Sequence, residues 1–407
     1  MATNNIPPIS ELPSQPTEET LPAWSVILVE DDPNARRQIK EYFQNRSIAK
    51  RSLRFQEVGE WADAFGLVRE KKADLVILDI YRGQATAGGE RIGERVLEEI
   101  RKFGFVSVII HTNLPEGLEE LQNEFVRLVP KEQGLAVLQQ AVEAIFETLV
   151  PQMHRAVINH MDRALCQYMW SFVAAQWPEL KQIANRPEFL RVLLQRLAIS
   201  FIREGVDFAV AEVFGAEAFA RLDPNKVHPA EFYVKPPMGS DPVLGDIRLR
   251  VGESGNQYLV ILWPTCDMVS TGGRKPKTDR VLCAHANLLN QSDEAKLFAE
   301  NQSITSRGKL VALMTNNRKI GSADRFHFLP GLLDIPDLVV DFQALEPFSL
   351  ETVSKLPSLG ILASPYAEQL SSRFDHYRGR VGTPDLDCDL VIDRMNVGTA
   401  GSGEGDP

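Results

Sequence analysis

From Ser25 onward, short runs rich in Val, Ile and Leu alternate five times with stretches of helical periodicity. The runs are Ser25–Val29, Ser52–Val58, Ala73–Ile80, Phe105–Thr112 and Phe125–Val129, and the helical stretches lie near 34–45, 60–71, 91–103, 116–123 and 134–149. Continuous aliphatic runs lack the apolar–polar alternation of a half-solvated strand, so each must be covered on both faces. Strands of that kind, separated by helices, form a parallel sheet wound on both sides. The sequence therefore predicts a doubly wound, five-stranded parallel α/β domain over 23–150. Its first helix carries a start signal, with Asp32 at the N-cap and Pro33 at N1.

The flanking sequence differs. Residues 1–22 hold five prolines and little apolar content, and read as a disordered arm. Residues 151–225 read as almost wholly helical, broken near Trp177-Pro178, with a heavily apolar body that suits a helical linker or homodimerisation region. From 226 to 395 strand-like runs return at 231–234, 246–251, 257–263, 280–286, 309–315, 325–329 and 337–342, followed by helices near 349–356 and 366–378. An α+β output domain of unknown function is expected there. The Gly-rich stretch 396–407 reads as a disordered tail.

Charge and cysteine content narrow the setting. Forty-four basic against 55 acidic residues give a net charge of −11, which argues against nucleic acid or anionic membrane as a partner. Residues 151–225 also lack the paired short helices and basic recognition helix of a helix-turn-helix. Four cysteines cannot frame a disulfide scaffold. No apolar run approaches the roughly 18 residues of a membrane span, and the amino terminus lacks the apolar core of a signal peptide. The expectation is a soluble, cytoplasmic protein.

In an open α/β sheet, chemistry collects at the carboxyl ends of the strands. Here the first strand ends in Glu30-Asp31-Asp32, the third in Asp79 and the fourth in Thr112, while Lys131 follows the fifth. Glu30, Asp31 and Asp79 make a hard, oxygen-rich set suited to Mg²⁺. Beside a cation, Asp79 is suited to attack a phosphoryl group, with Thr112 and Lys131 holding the phosphoryl oxygens.

VILVEDDP, ADLVILDI, VIIHT and VPK, in this order on these strands, resemble the receiver domain of two-component response regulators, a flavodoxin-like fold, over about residues 24–149. The resemblance implies Glu30 and Asp31 as the acidic metal-binding pair, Asp79 as phosphoacceptor, Thr112 as switch hydroxyl and Lys131 as the phosphoryl-contacting lysine. The backbone carbonyl of Tyr81 would complete the Mg²⁺ shell. It also implies a sensor histidine kinase or phosphotransfer protein as partner, and a two-state element at the fourth and fifth strand–helix units that the phosphoryl group biases. Three departures stand out. Pro130 precedes Lys131 where the family has a proline after the lysine, Leu128 stands where a switch aromatic belongs, and the loop after Asp79 is long and Gly-rich. The expected function is a phosphorylatable response regulator of a phosphorelay, signalling through a non-helix-turn-helix output region. The missing aromatic leaves a phosphoryl sink or relay component, without output of its own, as an alternative. Chains that join a receiver to a carboxyl half of this kind also resemble components of bacterial defence-linked two-component systems.

Other candidates are local. His154 and His160 lie in the first helix after the α/β domain, and a helix-borne histidine is either a phosphotransfer site or a packed side chain. Cys266, Cys283 and His285, with Asp267 beside them, offer soft ligands, and Cys266, Asp267 and His285 a Cys–His nucleophile for an effector enzyme. Their spacing lacks the close cysteine pair of a structural zinc site, and strand cysteines are commonly core residues. The basic loop 271–280 suits either a phosphate contact or a solvated turn.

Overall fold

The computed structural model describes residues 22–69, 73–81, 92–182, 186–203, 206–215, 217, 221, 223, 225–239, 241–252, 255–270, 274–318, 323–381 and 386–397. The chain divides into two compact units, the first ending at Asp223.

The first unit opens with β1 (Trp24–Val29) and α1 (Pro33–Phe43), then β2 (Ser47–Ile48), β3 (Arg51–Val58), α2 (Trp61–Arg69) and β4 (Leu75–Leu78). It continues with α3 (Ile92–Phe103), β5 (Ser107–Thr112), β6 (Val126–Pro130) and α4 (Gly134–Glu147). The sheet order is β2-β3-β1-β4-β5-β6. The five longer strands pair in parallel, and the two-residue β2 adds antiparallel to the edge of β3, so the sheet has six strands rather than five. Consecutive side chains of a strand enter opposite cores. Ile27, Val29, Val76 and Leu78 pack under α2 and α3 with Trp61, Val96 and Ile100. Val26, Leu28, Leu75 and Ile77 pack under α1 and α4 with Ile39, Phe43 and Phe146. Each such buried aliphatic side chain contributes roughly 1.5–3 kcal/mol.

The N-cap of α1 forms as read, with the Asp32 side chain accepting from the Asn34 amide (2.8 Å). The fourth crossover does not. In place of a helix over 116–123 there is one 3₁₀ turn, Glu119–Leu121. Pro115 and Gly117 (φ 76°) hold the chain out of helical geometry before it, and only thirteen residues separate β5 from β6.

After α4 the chain is helical. α5 (Val150–Tyr168) runs on as a π-helical stretch, Met169–Ala174, followed by α6 (Trp177–Leu180), α7 (Pro187–Arg203) and α8 (Val206–Phe214). α5 is fastened to the amino ends of the strands by one side chain. Arg155 Nε donates to Asp74 Oδ1 (2.8 Å), its Nη2 reaches Asp74 Oδ2 and the Ala23 carbonyl (3.1 Å), and the guanidinium lies over the Trp24 ring.

The second unit is built on a sheet of seven strands. In chain order its elements are β7 (Tyr233–Val234), β8 (Asp246–Gly252), β9 (Gly255–Ile261), α9 (Thr265–Met268) and β10 (Arg280–Leu288). Next come α10 (Asp293–Glu300), α11 (Ile304–Met314), β11 (Phe326–Leu329) and β12 (Leu338–Ser349). α12 (Leu350–Lys355), β13 (Ser358–Leu362), α13 (Tyr366–Arg378) and α14 (Cys388–Val397) complete it. The order is β11-β12-β10-β9-β8-β13-β7 with every neighbouring pair antiparallel. α13 covers one face through Leu370, Phe374 and Tyr377, while Met268 and Val353 belong to the core on the other.

Two expectations fail here. The run 309–315 is not a strand but the carboxyl half and C-cap of α11, a helix capped at its start by Ser303, whose hydroxyl accepts from the Ser306 amide (3.1 Å). Asn396 and Val397 close α14 rather than opening a tail. The amino-terminal arm through residue 21, and 398–407, lie outside the described residues.

Candidate functional site: a carboxylate–lysine cleft

The β1–β3 and β1–β4 ladders each continue one residue past the strands, and this fixes two acids side by side. The Glu30 amide donates to the Val58 carbonyl (3.1 Å) and the Asp79 amide to the Val29 carbonyl (2.9 Å). Both side chains are buried, Glu30 to 2% exposure and Asp79 to 6%. β1 and β4 are adjacent here although β3 lies on the other side of β1, so the acids sit where the winding of the sheet reverses. Asp31 is half-buried beside them, whereas Asp32 turns away to cap α1.

Carboxylate oxygens of Glu30, Asp31 and Asp79 lie within 4.8 Å of one another, the only such acidic, histidine or cysteine trio among the described residues. Lys131, in the turn after β6, reaches into the cluster. Its Nζ donates to Asp79 Oδ2 (2.6 Å) and lies 2.6 Å from Glu30 Oε2. The second oxygen of Asp79, Oδ1, accepts from the Tyr81 amide (3.2 Å). Burial pushes the Glu30 carboxyl above its ordinary range, against the Lys131 ammonium, and Asp79 adds to the rise. Burial would strip Lys131 of its proton, but Asp79 and Glu30 together hold its pKa above the ordinary lysine value.

Thr112 ends β5 fully buried, its hydroxyl at the limit of hydrogen bonding with the Leu114 amide (3.5 Å). Tyr81 is buried in the core under α2 and α3. Leu128, at the switch-aromatic position, packs half-buried against that same core. Pro130 closes β6 and Lys131 opens a 3₁₀ turn, so the lysine is carried by the strand end itself.

Three supporting residues escaped the sequence reading. Trp61 Nε1 donates to the Asp79 carbonyl (3.0 Å), and the Arg36 guanidinium donates to the Glu30 carbonyl. Gly93 donates to the Ile80 carbonyl (3.0 Å), and a Cβ there would fall 2.6 Å from both the Asp79 carbonyl oxygen and Ile80 Cα. The only signal was a glycine within a turn of the long loop, which by itself does not say what approaches it.

The other candidates are not assembled into a centre. Cys266, exposed on α9, makes only a long contact with Asp267 (3.5 Å). His285 pairs with Glu346 (2.8 Å). Cys283 is a core residue whose thiol is pushed up to about 12, first by burial and then by Glu346. His154 packs on Phe105, and His160 hydrogen-bonds the Phe201 carbonyl (3.0 Å). In the basic loop, Lys277 lies 3.9 Å from Asp267.

The fold and this cleft define a class: over about 30% of its length the chain carries a response-regulator receiver domain. The particular relative is the "Probable C4-dicarboxylate response regulator DctR" of Bacillus subtilis, 29% identical over 124 residues, which are 30% of this chain and 51% of that protein. The chain thus spans about half the length of the curated relative it matches. Among solved structures, the signal receiver domain of a LuxO repressor protein from Vibrio parahaemolyticus is 25% identical (TM-score 0.24; 31% of this chain, 97% of that one). The receiver domain of a sensor histidine kinase from Pseudomonas aeruginosa, with a magnesium ion coordinated in its active site cleft, is 19% identical (TM-score 0.24; 30% and 96%). No family model matches the chain.

Proposed function

We propose that the chain is a response regulator that accepts a phosphoryl group on Asp79, within a receiver over 23–150. A helical region, 151–225, and an output domain, 226–395, follow it. The observation that carries this reading is the placement of Asp79 with one oxygen on Lys131 and two further carboxylates within 4.8 Å. Three hard carboxylates fit a divalent cation such as Mg²⁺, held by Glu30, Asp31, Asp79 and the Tyr81 carbonyl. Bound there, the cation would neutralise the acids and draw charge from the transferring group. A phosphohistidine of a sensor kinase or phosphotransfer protein is the donor. An Asp79 oxygen forms the new O–P bond as the N–P bond breaks and imidazole leaves. The Lys131 ammonium and Thr112 hydroxyl take the phosphoryl oxygens. Attack by water later releases phosphate and restores the carboxylate.

No helix among the described residues is long and apolar enough to cross a membrane. The test is intact-mass analysis after incubation with Mg²⁺ and a small acyl phosphate. Wild type is expected to gain one hydroxylamine-labile phosphoryl group and Asp79→Asn none. Equal gain in both proteins, or gain in neither even with a cognate kinase, would remove the reading.

A further inference from the structure

Two cavities of the second unit meet at one ion pair. The first, of about 390 Å³, is chiefly polar and is lined by Asn287, Gln291, Glu294, Arg318, Arg325 and Asp341. The second, of about 610 Å³, exposes chiefly apolar surface, from Leu297, Val311 and Ala312 of α10 and α11. Glu294 and Arg318 line both. Each volume falls within the range of small-molecule sites, roughly 300–1,000 Å³. The two arginines rest on the same ring, that of Phe326, each guanidinium 4.8 Å from its centroid, but they are engaged differently. Arg325 holds both oxygens of Asp341, through Nε (2.7 Å) and Nη2 (2.6 Å). Arg318 has a single carboxylate contact, Nη2 to Glu294 Oε1 (2.6 Å), although the two side chains are only 20% and 14% exposed. Gly308 stands in the middle of α11 and lines the second cavity. A Cβ there would meet nothing within 4 Å, so no packing contact calls for a glycine that weakens the helix. Its effect is to leave the cavity open.

We infer that the two cavities form one binding site for a free apolar α-amino acid. The ion pair dictates the head group. A pure anion at Arg318, or a pure cation at Glu294, would strand the other charge in a largely buried place. A molecule that carries both charges parts the pair and leaves neither unmatched, with its carboxylate on Arg318 and its ammonium on Glu294. The Arg318 guanidinium offers the planar donors that suit a carboxylate. Its looser engagement makes this pair, rather than Arg325 with Asp341, the one that opens. Asp293 also lines both cavities and adds a further carboxylate, so the site disfavours ligands of net negative charge. The second cavity dictates the side chain. With the head group at the shared wall, an aliphatic or aromatic side chain lies against Leu297, Val311 and Ala312 and leaves water. The inference stands apart from the phosphorylation reading, since every residue it uses belongs to the second unit.

Titration calorimetry of the full chain with leucine, isoleucine, methionine and phenylalanine tests it. At least one of the four is expected to bind saturably at a single site. The N-acetyl form of that amino acid, which lacks the ammonium, and its decarboxylated amine should each bind at least about tenfold more weakly. Arg318→Met removes the partner of the carboxylate and Gly308→Leu fills the second cavity, and each should weaken binding by a similar factor. Because leucine favours a helix over glycine, the melting temperature of Gly308→Leu should not fall, which separates a blocked site from a lost fold. Binding of none of the four at millimolar concentration overturns the proposal. So does an N-acetyl form that binds as tightly as the free amino acid, or an affinity unchanged in both variants.

Discussion

Lys131 and His111 sit on or beside neighbouring strands and meet burial in opposite ways. Lys131 is compensated by two carboxylates and keeps its proton. His111, 5% exposed, has no hydrogen-bond partner on either ring nitrogen, and burial followed by the Lys131 charge lowers its pKa to about 4. Its folded pKa is below the unfolded value of about 6.5, so the unfolded chain takes the proton first as pH falls. Stability from this group is therefore complete above pH 6.5 and is lost between about 6.5 and 4, by at most about 3 kcal/mol. His111→Leu should flatten the urea-midpoint-against-pH curve of the first unit between pH 7 and 5. An unchanged slope would show that other groups govern it. At this scale the sequence was legible where chemistry recurs at strand ends, as with Glu30, Asp79 and Lys131. It was opaque for Trp61, Arg36 and Gly93, which act through backbone atoms brought near only by folding.

Among elements, α5 depends most visibly on one interaction. Asp74 accepts from the Ser25 amide (2.7 Å) as well as from Arg155, and both charged side chains are largely buried. Arg155→Met would leave buried Asp74 with that amide and the Arg51 charge but no ion-paired hydrogen bond, at a cost of about 3 kcal/mol. Amides at the start of α5 should then exchange several-fold faster, and Arg155→Lys should restore little, because an ammonium cannot bridge both oxygens. Wild-type exchange in both variants would show that α4–α5 packing suffices. The aliphatic strands of the first unit were readable from their composition because they are covered on both faces. The run 309–315 misled for the same reason, since Leu310, Leu313 and Met314 fit a buried strand as well as a helix face. β13 escaped notice: its five residues include Gly360, where a Cβ would meet Ile335 Cδ1 at 2.9 Å, and glycine reads as a strand-breaker until its neighbour is known.

For the whole molecule, each unit has buried clusters of its own among the described residues. Calorimetry of the full chain should therefore resolve two transitions, and Arg155→Met should lower one of them only. A single transition moved as a whole by that substitution would mean that the units unfold together. The antiparallel order of the second sheet was not visible in the sequence, because it depends on pairings between distant segments. One feature of the first unit also limits how such a chain can vary. Asp74 and Asp79 bracket the four residues of β4, one fastening α5 and the other lining the cleft. Five positions apart, they project from opposite faces as well as opposite ends of the strand. The strand is thus a ruler with an odd count, and neither an insertion nor a deletion of one residue can keep both acids in place. Lineages of this protein should tolerate changes of identity within those four positions but not of number.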